Sequence, residues 1–274
     1  MSDLNGILLD LPEHDYHGRG ELSSTEARLL LRKGGPARYR YAKDNPPLVE
    51  PSTKFDIGSA VHSKVLGVGY DIVTVDANDW RTKAAQEQRD AARAEGKIAL
   101  LAKEIREVDA MAEAVLANDT ARALFTQPGN REASVFAEVD GVRVRARFDF
   151  LPDLDLPRPV AVDIKTTAAE ATPDEFGKSV ARYGYEVQER WYTDAVEAAS
   201  SVRPQFAFVV VEKEPPYLTA VLEIPTVMRD RGIERAKRAR EIYAQCVEAN
   251  DWPGHPHGVQ YINVPNWVHY EEIE

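Results

Sequence analysis

The sequence predicts an α/β fold, a mixed central sheet flanked by helices, and three observations lead to it. Between Ala133 and Phe150 the hydrophobic period becomes two, and Asp140-Gly141 divides the stretch as a tight hairpin turn would. Val160 to Lys165 and Gln205 to Val211 are further apolar runs of strand length. Around them lie segments of helical period, the clearest being Ile98 to Ala117, with Leu101, Ile105, Val108, Ala112 and Val115 on one face. A chain of 274 residues, 43% of them hydrophobic, can bury a sizeable core.

Taken in order, residues 1 to 20 are rich in Asp, Gly, His and Pro without a period and read as an extended arm. Ser23-Ser24-Thr25-Glu26 ahead of Ala27, Leu29, Leu30 and Leu31 starts a helix, with Ser23 or Ser24 as its cap, and Gly34-Gly35-Pro36 ends it. Arg38-Tyr39-Arg40-Tyr41 follows, suited either to phosphate and base contacts or to Tyr packing under a helix, and then a Pro-rich loop through Pro51. Phe55 to His62 begins a second helix whose small residues Gly58, Ser59 and Ala60 permit close backbone approach. His62 lies one turn beyond Gly58 on the same face and is either a structural imidazole or a ligand. A short strand over Asp71 to Asp76 precedes helices at Trp80 to Ala94 and Ile98 to Ala117.

After the hairpin, Pro152, Pro157 and Pro159 make a loop before Val160. Thr166-Thr167 opens a polar stretch with Pro173 and Phe176, followed by a helix from Tyr183 to Ala199 on which Gln188 and Tyr192 share a face. A strand from Gln205 to Val211, a turn at Glu214-Pro215-Pro216, a strand from Tyr217 to Ile224, a helix from Val227 to Asn250 and an irregular tail from Trp252 complete the chain. The expected organisation is one domain, with an N-terminal arm and helix over 1–55, a core over 56–225 and a C-terminal helix and tail over 226–274.

Composition narrows the function. No apolar run reaches the ~18 residues of a membrane span, and the N-terminus lacks a basic-then-apolar signal, so the reading is a cytoplasmic protein without a membrane partner. The single Cys246 excludes an internal disulfide framework and a four-cysteine iron–sulfur or zinc site. A formal charge of −11 argues against indiscriminate coating of nucleic acid. Local basic clusters remain: Arg28 to Lys43, the row Arg143, Arg145 and Arg147, and Arg229 to Arg240; each is either a solvated face or a substrate track.

The chemistry concentrates between Arg143 and Lys165. In a strand successive side chains alternate faces, so Val142, Val144, Ala146, Phe148 and Phe150 line one side, and Arg143, Arg145, Arg147 and Asp149 the other. In the next strand Val160, Val162 and Ile164 face one way, Ala161, Asp163 and Lys165 the other. Neighbouring strands would then present two carboxylates and an ammonium together. Two carboxylates ~5 Å apart repel by about 3 kcal/mol at an effective dielectric of about 20, and a hard divalent cation such as Mg²⁺ turns that repulsion into binding. With Lys165 to orient or deprotonate water, this suits metal-assisted phosphodiester hydrolysis; the same residues are compatible with an amphipathic hairpin bearing a solvated charged face. Glu132 and Glu138, at the two ends of the preceding strand, could each reach the acids.

Five segments in order, Leu22-Ser23-Ser24-Thr25, Gly58 to His62, Arg147-Phe148-Asp149, Asp163-Ile164-Lys165-Thr166-Thr167 and Gln188-Glu189-Arg190-Trp191-Tyr192, resemble the PD-(D/E)XK nuclease superfamily. Within it they are similar to the RecE-like exodeoxyribonuclease VIII group, relatives of the RecB nuclease domain and lambda exonuclease. The resemblance implies a restriction-endonuclease-like core and a metal site of His62, Asp149, Asp163 and the carbonyl of Ile164. Lys165 would activate water, Gln188 and Tyr192 would match the RecB-type motif beside the site, and Glu132 would be an accessory upstream acid. The cofactor implied is Mg²⁺, with Mn²⁺ able to substitute and no iron–sulfur cluster. The activity implied is 5′-to-3′ degradation of linear double-stranded DNA from its ends, in recombination or repair, by a bacterial or phage-encoded protein. Partners implied are DNA ends, further copies of the chain in a ring lined by Arg143, Arg145 and Arg147, and a single-strand annealing protein. Rival readings are a structure- or sequence-specific endonuclease of the same superfamily and a catalytically silent DNA-end-binding scaffold. Here the second acid is Asp163 where the family often has Glu, and the Pro-rich connection is longer than usual.

Overall fold

The computed structural model describes residues 6–45 and 53–264. The N-terminal arm is not wholly extended: Gly6–Leu8 forms β1, which adds antiparallel to the edge of the main sheet, and Glu13–Gly18 forms α1, anchored by the buried Tyr16 against Phe136. Leu22–Ser23 (β2) leads into α2 (Ser24–Leu30), which starts on a reciprocal cap: the Glu26 amide donates to Ser23 Oγ at 3.3 Å and the Ser23 amide to the Glu26 carboxylate at 2.7 Å. The Arg/Tyr segment is helical (α3, Gly35–Asp44), with Pro36 in the first turn, where a missing N–H costs nothing. Tyr39 is buried against Tyr243 and Trp252, the packing alternative for that segment. Residues 46–52 of the expected Pro-rich loop lie outside the described residues.

Thr53–Leu66 (α4), Ile72–Val75 (β3) and Lys83–Ala94 (α5) follow. Ile98–Leu101 is not the start of a helix but a strand, β4, parallel to β3, and α6 runs over Ala102–Ala117. Four consecutive buried apolar residues carry no period by which strand and helix can be told apart. A further short helix, α7 (Asp119–Thr126), starts where Asn118 accepts the Ala121 amide. Gly129–Val139 (β5) and Val142–Pro152 (β6) form the hairpin, with Asp140 and Gly141 both in the left-handed region, as a type I′ turn requires. Then come Val160–Thr167 (β7), the helix Pro173–Tyr183 (α8) in the stretch read as merely polar, Tyr185–Ser200 (α9), Gln205–Glu212 (β8), Thr219–Leu222 (β9) and Thr226–Ala249 (α10). Residues 250–264 contain no helix or strand, and the rest of the expected tail lies outside the described residues.

Among the described residues seven strands make the mixed sheet, in the order β1-β5-β6-β7-β8-β9 with β2 beside β6. β7 and β8 are parallel, joined by α8 and α9, while the other neighbours along the main path are antiparallel. One apolar layer, built on Phe148, Phe206, Phe208 and Trp191, lies under α9; the other, built on Phe150, Val162, Ile164 and Val209, lies under α4 and α6. Phe148 and Phe150 therefore face opposite layers, contrary to strict alternation. The cause is local: Glu132, opposite Asp149, has φ 52°, and the ladder passes from Ala133↔Phe148 to Arg131↔Phe150 without a regular pair between. Among the described residues no helix is long and apolar enough to cross a membrane.

The two longest helices on the α9 face cross at Gly232, where a Cβ would lie 2.4 Å from the carbonyl oxygen of Glu186. Gly→Ala inside a helix is ordinarily favourable by about 0.5–1 kcal/mol. Here the sign reverses, because neither backbone can yield. Gly232→Ala is expected to destabilise the protein by about 1–3 kcal/mol and to lower its melting temperature; an unchanged or higher melting temperature would mean that α9 and α10 are not in this contact.

Candidate active site

The sheet forks between β6 and β7. Their ladder has the pair Phe150↔Val162, and a continued ladder would set the Ile164 amide against β6 backbone; instead it donates to the side chain of Asp149, at 2.6 Å from Oδ2. The same oxygen lies 3.3 Å from Nδ1 of His62, which α4 brings from the layer below. On β7, Asp163 points into the α9 layer, 4% exposed, where Gln188 Nε2 donates to its Oδ1 at 2.6 Å. Lys165, two residues along the same face, places its ammonium 2.5 Å from Asp163 Oδ2 in an ion pair. Thus α4, β6, β7 and α9 bring together His62, Asp149, Asp163, Lys165 and Gln188, and one backbone group, Ile164, ties the two acids' strands.

These side chains shift one another's ionisation. Burial would raise the Asp149 pKa, but His62, Lys165 and the Ile164 amide outweigh it and hold it below the ordinary carboxylate value. Asp163 goes the other way: burial and the neighbouring Asp149 charge raise its pKa, against the pull of Lys165. Burial disfavours the charged forms of Lys165 and His62, yet Asp163 holds Lys165, and Asp149 holds His62, above their ordinary values. Lys165 is therefore an ammonium here; it can orient water, whereas deprotonating water, the other role considered for it, would require losing that charge.

Tyr192 sits one turn beyond Gln188, its ring 4.9 Å from Phe148, and burial keeps its hydroxyl protonated. Of the two candidate upstream acids, Glu132 lies beside the fork, its pKa pushed up to about 7 by burial and the Asp149 charge, while Glu138 is exposed and paired with Arg143 at the far end of the hairpin. A non-glycine residue at φ 52° costs on the order of 1–3 kcal/mol, and such positions cluster at working sites. A cleft of about 990 Å³ opens at the fork, lined among others by Glu13, His62, Glu132, Arg147, Asp149 and Tyr192.

The arginine row is not the solvent-facing strip expected. Arg145 is 4% exposed and donates to the carbonyls of Tyr16, His17 and Arg19. Arg147 donates to Ser134 Oγ and the Leu11 carbonyl, and both guanidiniums lie over the Tyr16 ring. Arg143 reaches Glu21. The row clamps the N-terminal arm across β6, a use that no local signal in the sequence announces. Part of the late cluster is likewise tied to acids: Arg229 pairs with Glu189, Arg231 and Arg235 with Glu186, and the buried Arg240 with Asp140 and Asp194, while Arg231, Lys237 and Arg238 stay exposed.

As placed, each acid is satisfied by protein partners, and among the described residues no three His, Cys, Asp or Glu side chains converge to hold an ion. The donor set still suits a hard divalent cation. Two buried carboxylates raise each other's charge burden, and Gln188 Oε1 is a buried acceptor without a donor, as is Asp163 Oδ2 apart from its ion pair.

An acid at a sheet fork, answered by Asp-Ile-Lys on the adjoining strand and a glutamine-bearing helix behind it, places the chain in the PD-(D/E)XK nuclease superfamily. It belongs to the family described as a PDDEXK-like domain of unknown function (DUF3799), whose profile matches residues 32–265. The fold is similar to the crystal structure of a provisionally described exonuclease from Eubacterium rectale, with TM-score 0.62 and 11% identity over 97% of this chain and 99% of that one. A second solved structure, of a protein described as SSO0001, overlaps with TM-score 0.36 and 14% identity over 88% of this chain and 82% of that chain, too low for a common fold to follow. No curated protein matches the chain in sequence.

A His whose folded pKa is raised contributes stability that is fully present below its unfolded pKa of about 6.5 and is lost as pH rises through the folded value. Without added metal, the His62 imidazole is expected to titrate above its ordinary value by NMR, and Asp149→Asn should bring it down; His62→Gln should flatten the pH dependence of melting above about pH 6.5. A His62 resonance that ignores Asp149→Asn would separate the two groups.

Proposed function

We propose that the chain is a metal-dependent DNA nuclease, a phosphodiester hydrolase acting on linear double-stranded DNA from its ends. The observation that carries the reading is the crowding of Asp149, Asp163, Lys165 and Gln188 at one fork, an arrangement costly for packing alone. Asp149, Asp163, the Ile164 carbonyl and His62 would hold the cation, Mg²⁺ with Mn²⁺ able to replace it. Bound there, it would supply Lewis acidity toward a phosphoryl oxygen and a more acidic water. Lys165 orients the attacking water and faces the charge that builds on the phosphate. Gln188 would fix the Asp163 carboxylate, and Glu132, its pKa pushed up to about 7, would take up a proton.

The finer reading draws on the similarity to RecE-like and lambda-type nucleases: 5′-to-3′ exonuclease action in recombination or repair, in a bacterial or phage setting, by a closed ring of copies working with a single-strand annealing protein. Because Arg145 and Arg147 are committed to the arm, the lining of such a ring would fall to other cations. Arg131 is one: it is exposed at the cleft and, among the described residues, its side chain has no hydrogen bond or ion pair.

With Mg²⁺ the protein is expected to degrade linear duplex and spare covalently closed circles. Asp149→Asn, Asp163→Asn and Lys165→Ala should each lower cleavage about 100-fold or more with the circular dichroism spectrum unchanged. The asparagines keep an acceptor for the Ile164 amide and for Gln188, so the fork survives. Equal cutting of circles would select the endonuclease reading, and binding to ends without cutting the scaffold. Light scattering showing a monomer would remove the ring.

A further inference from the structure

Outside the cleft, Lys165 begins an aromatic row. Its ammonium lies 4.8 Å from the Tyr185 ring centroid and 6.0 Å from that of Phe208. Tyr185 stacks on Phe208 at 5.8 Å with 28° between the planes and on Phe176 at 5.9 Å with 29°. Its outward neighbour is Tyr183, 5.6 Å away with 32° between the planes. The row thus passes in tilted steps from the buried Phe208 to a ring that is 51% exposed, with the exposed Arg182 guanidinium 5.6 Å from it.

The end of the row is braced. Arg28 donates to the Tyr183 carbonyl at 2.9 Å and is itself held by Thr25 Oγ1 and the Ser24 carbonyl. Gly184 follows with φ 71°, and its missing Cβ would meet the Arg28 stem at 3.1 Å, so the turn that presents Tyr183 has little freedom. Single exposed aromatics are ordinary. A braced exposed ring is not, when it ends a stacked row begun by the lysine of the candidate site and has a cation over it. Single-strand binders combine those two elements, aromatic planes for bases and nearby cations for the backbone.

We propose that Tyr183 is a stacking platform for one unpaired base of the DNA strand, next to the phosphodiester handled at Asp163 and Lys165, with Arg182 serving the adjacent phosphate. The inference rests on the nuclease reading above. It makes the platform indifferent to base identity, since every base offers a π-face, and it gives the strand two footholds, the cleft by Asp149 and the ring by Lys165.

The test is fluorescence anisotropy with short labelled single strands, with Ca²⁺ in place of Mg²⁺, for the wild type, Tyr183→Ala and Tyr183→Phe. A single abasic position is walked along the strand. Tyr183→Ala should weaken binding about 5- to 150-fold, the range that one stacked base is worth, and Tyr183→Phe should bind like the wild type. One abasic position should reproduce that loss in the wild type and add nothing in Tyr183→Ala; melting temperatures should be unchanged, because the ring is exposed. If Tyr183→Ala binds like the wild type, or no abasic position loses its effect in that variant, while wild-type protein still cuts linear duplex, the platform is refuted and the nuclease reading stands. If wild-type protein neither binds nor cuts DNA, the nuclease reading fails and the platform with it.

Discussion

The hydrogen bond from the Ile164 amide to the Asp149 carboxylate is the constraint on which the rest depends. A backbone donor between two strands must be satisfied, and here a side chain does what a neighbouring carbonyl would do in a closed ladder. The sheet can therefore open without leaving an orphaned amide, and the opening is where His62 from one layer and Asp163, Lys165 and Gln188 from the other can meet. An apolar residue at 149 would close the gap or strand the amide; a longer acid would not sit in the same plane as the donor. The left-handed Glu132 on the other side of Asp149 belongs to the same distortion, since it lets Phe148 and Phe150 enter opposite layers.

Around this fork the protein uses cations as ties. Arg145 collects three carbonyls of the arm and Arg147 a fourth, so a segment with few apolar residues is held across β6 by charge-assisted hydrogen bonds and by the Tyr16 ring. On the opposite flank, the arginines of α10 neutralise the buried acids of α9. Breaking one member of such a pair leaves the other as an uncompensated buried charge, which is far more costly than the pair's net contribution. Part of the positive charge of a protein of net charge −11 is thus spent on holding its own elements together.

Much of the fold was legible because its signals are short-range. The β5–β6 hairpin follows from alternation and Asp140-Gly141, the start of α2 from Ser23 and Glu26, and α6 from its apolar stripe. β4 was not, because Ile98 to Leu101 is buried on every side; nor was α8, whose apolar face is only Phe176 and Val180 within a polar sequence. At the site, the spacing Asp163-Ile164-Lys165 and the pair Gln188 and Tyr192 can be read directly. The arginine row could not be read, since alternation assigns a face but not what covers it, and the arm that covers Arg145 is more than a hundred residues away in sequence. Tyr185 could have been found: it precedes Gln188 by three positions and so shares its helical face.

The carboxylate of Glu186, with no exposure at all, is held by Arg231 and Arg235, and Gly232 lets the two backbones touch at the same place. α9 therefore cannot settle against the sheet with its acids charged until α10 is present to receive them. α10 follows α9 and the other described helices in sequence, and α9 carries the glutamine that donates to Asp163. A nascent chain emerging from the ribosome would thus hold every acid of the fork before it could align them. The fork is completed only once α10 has been made, so that a translation product interrupted before Thr226 would lack it.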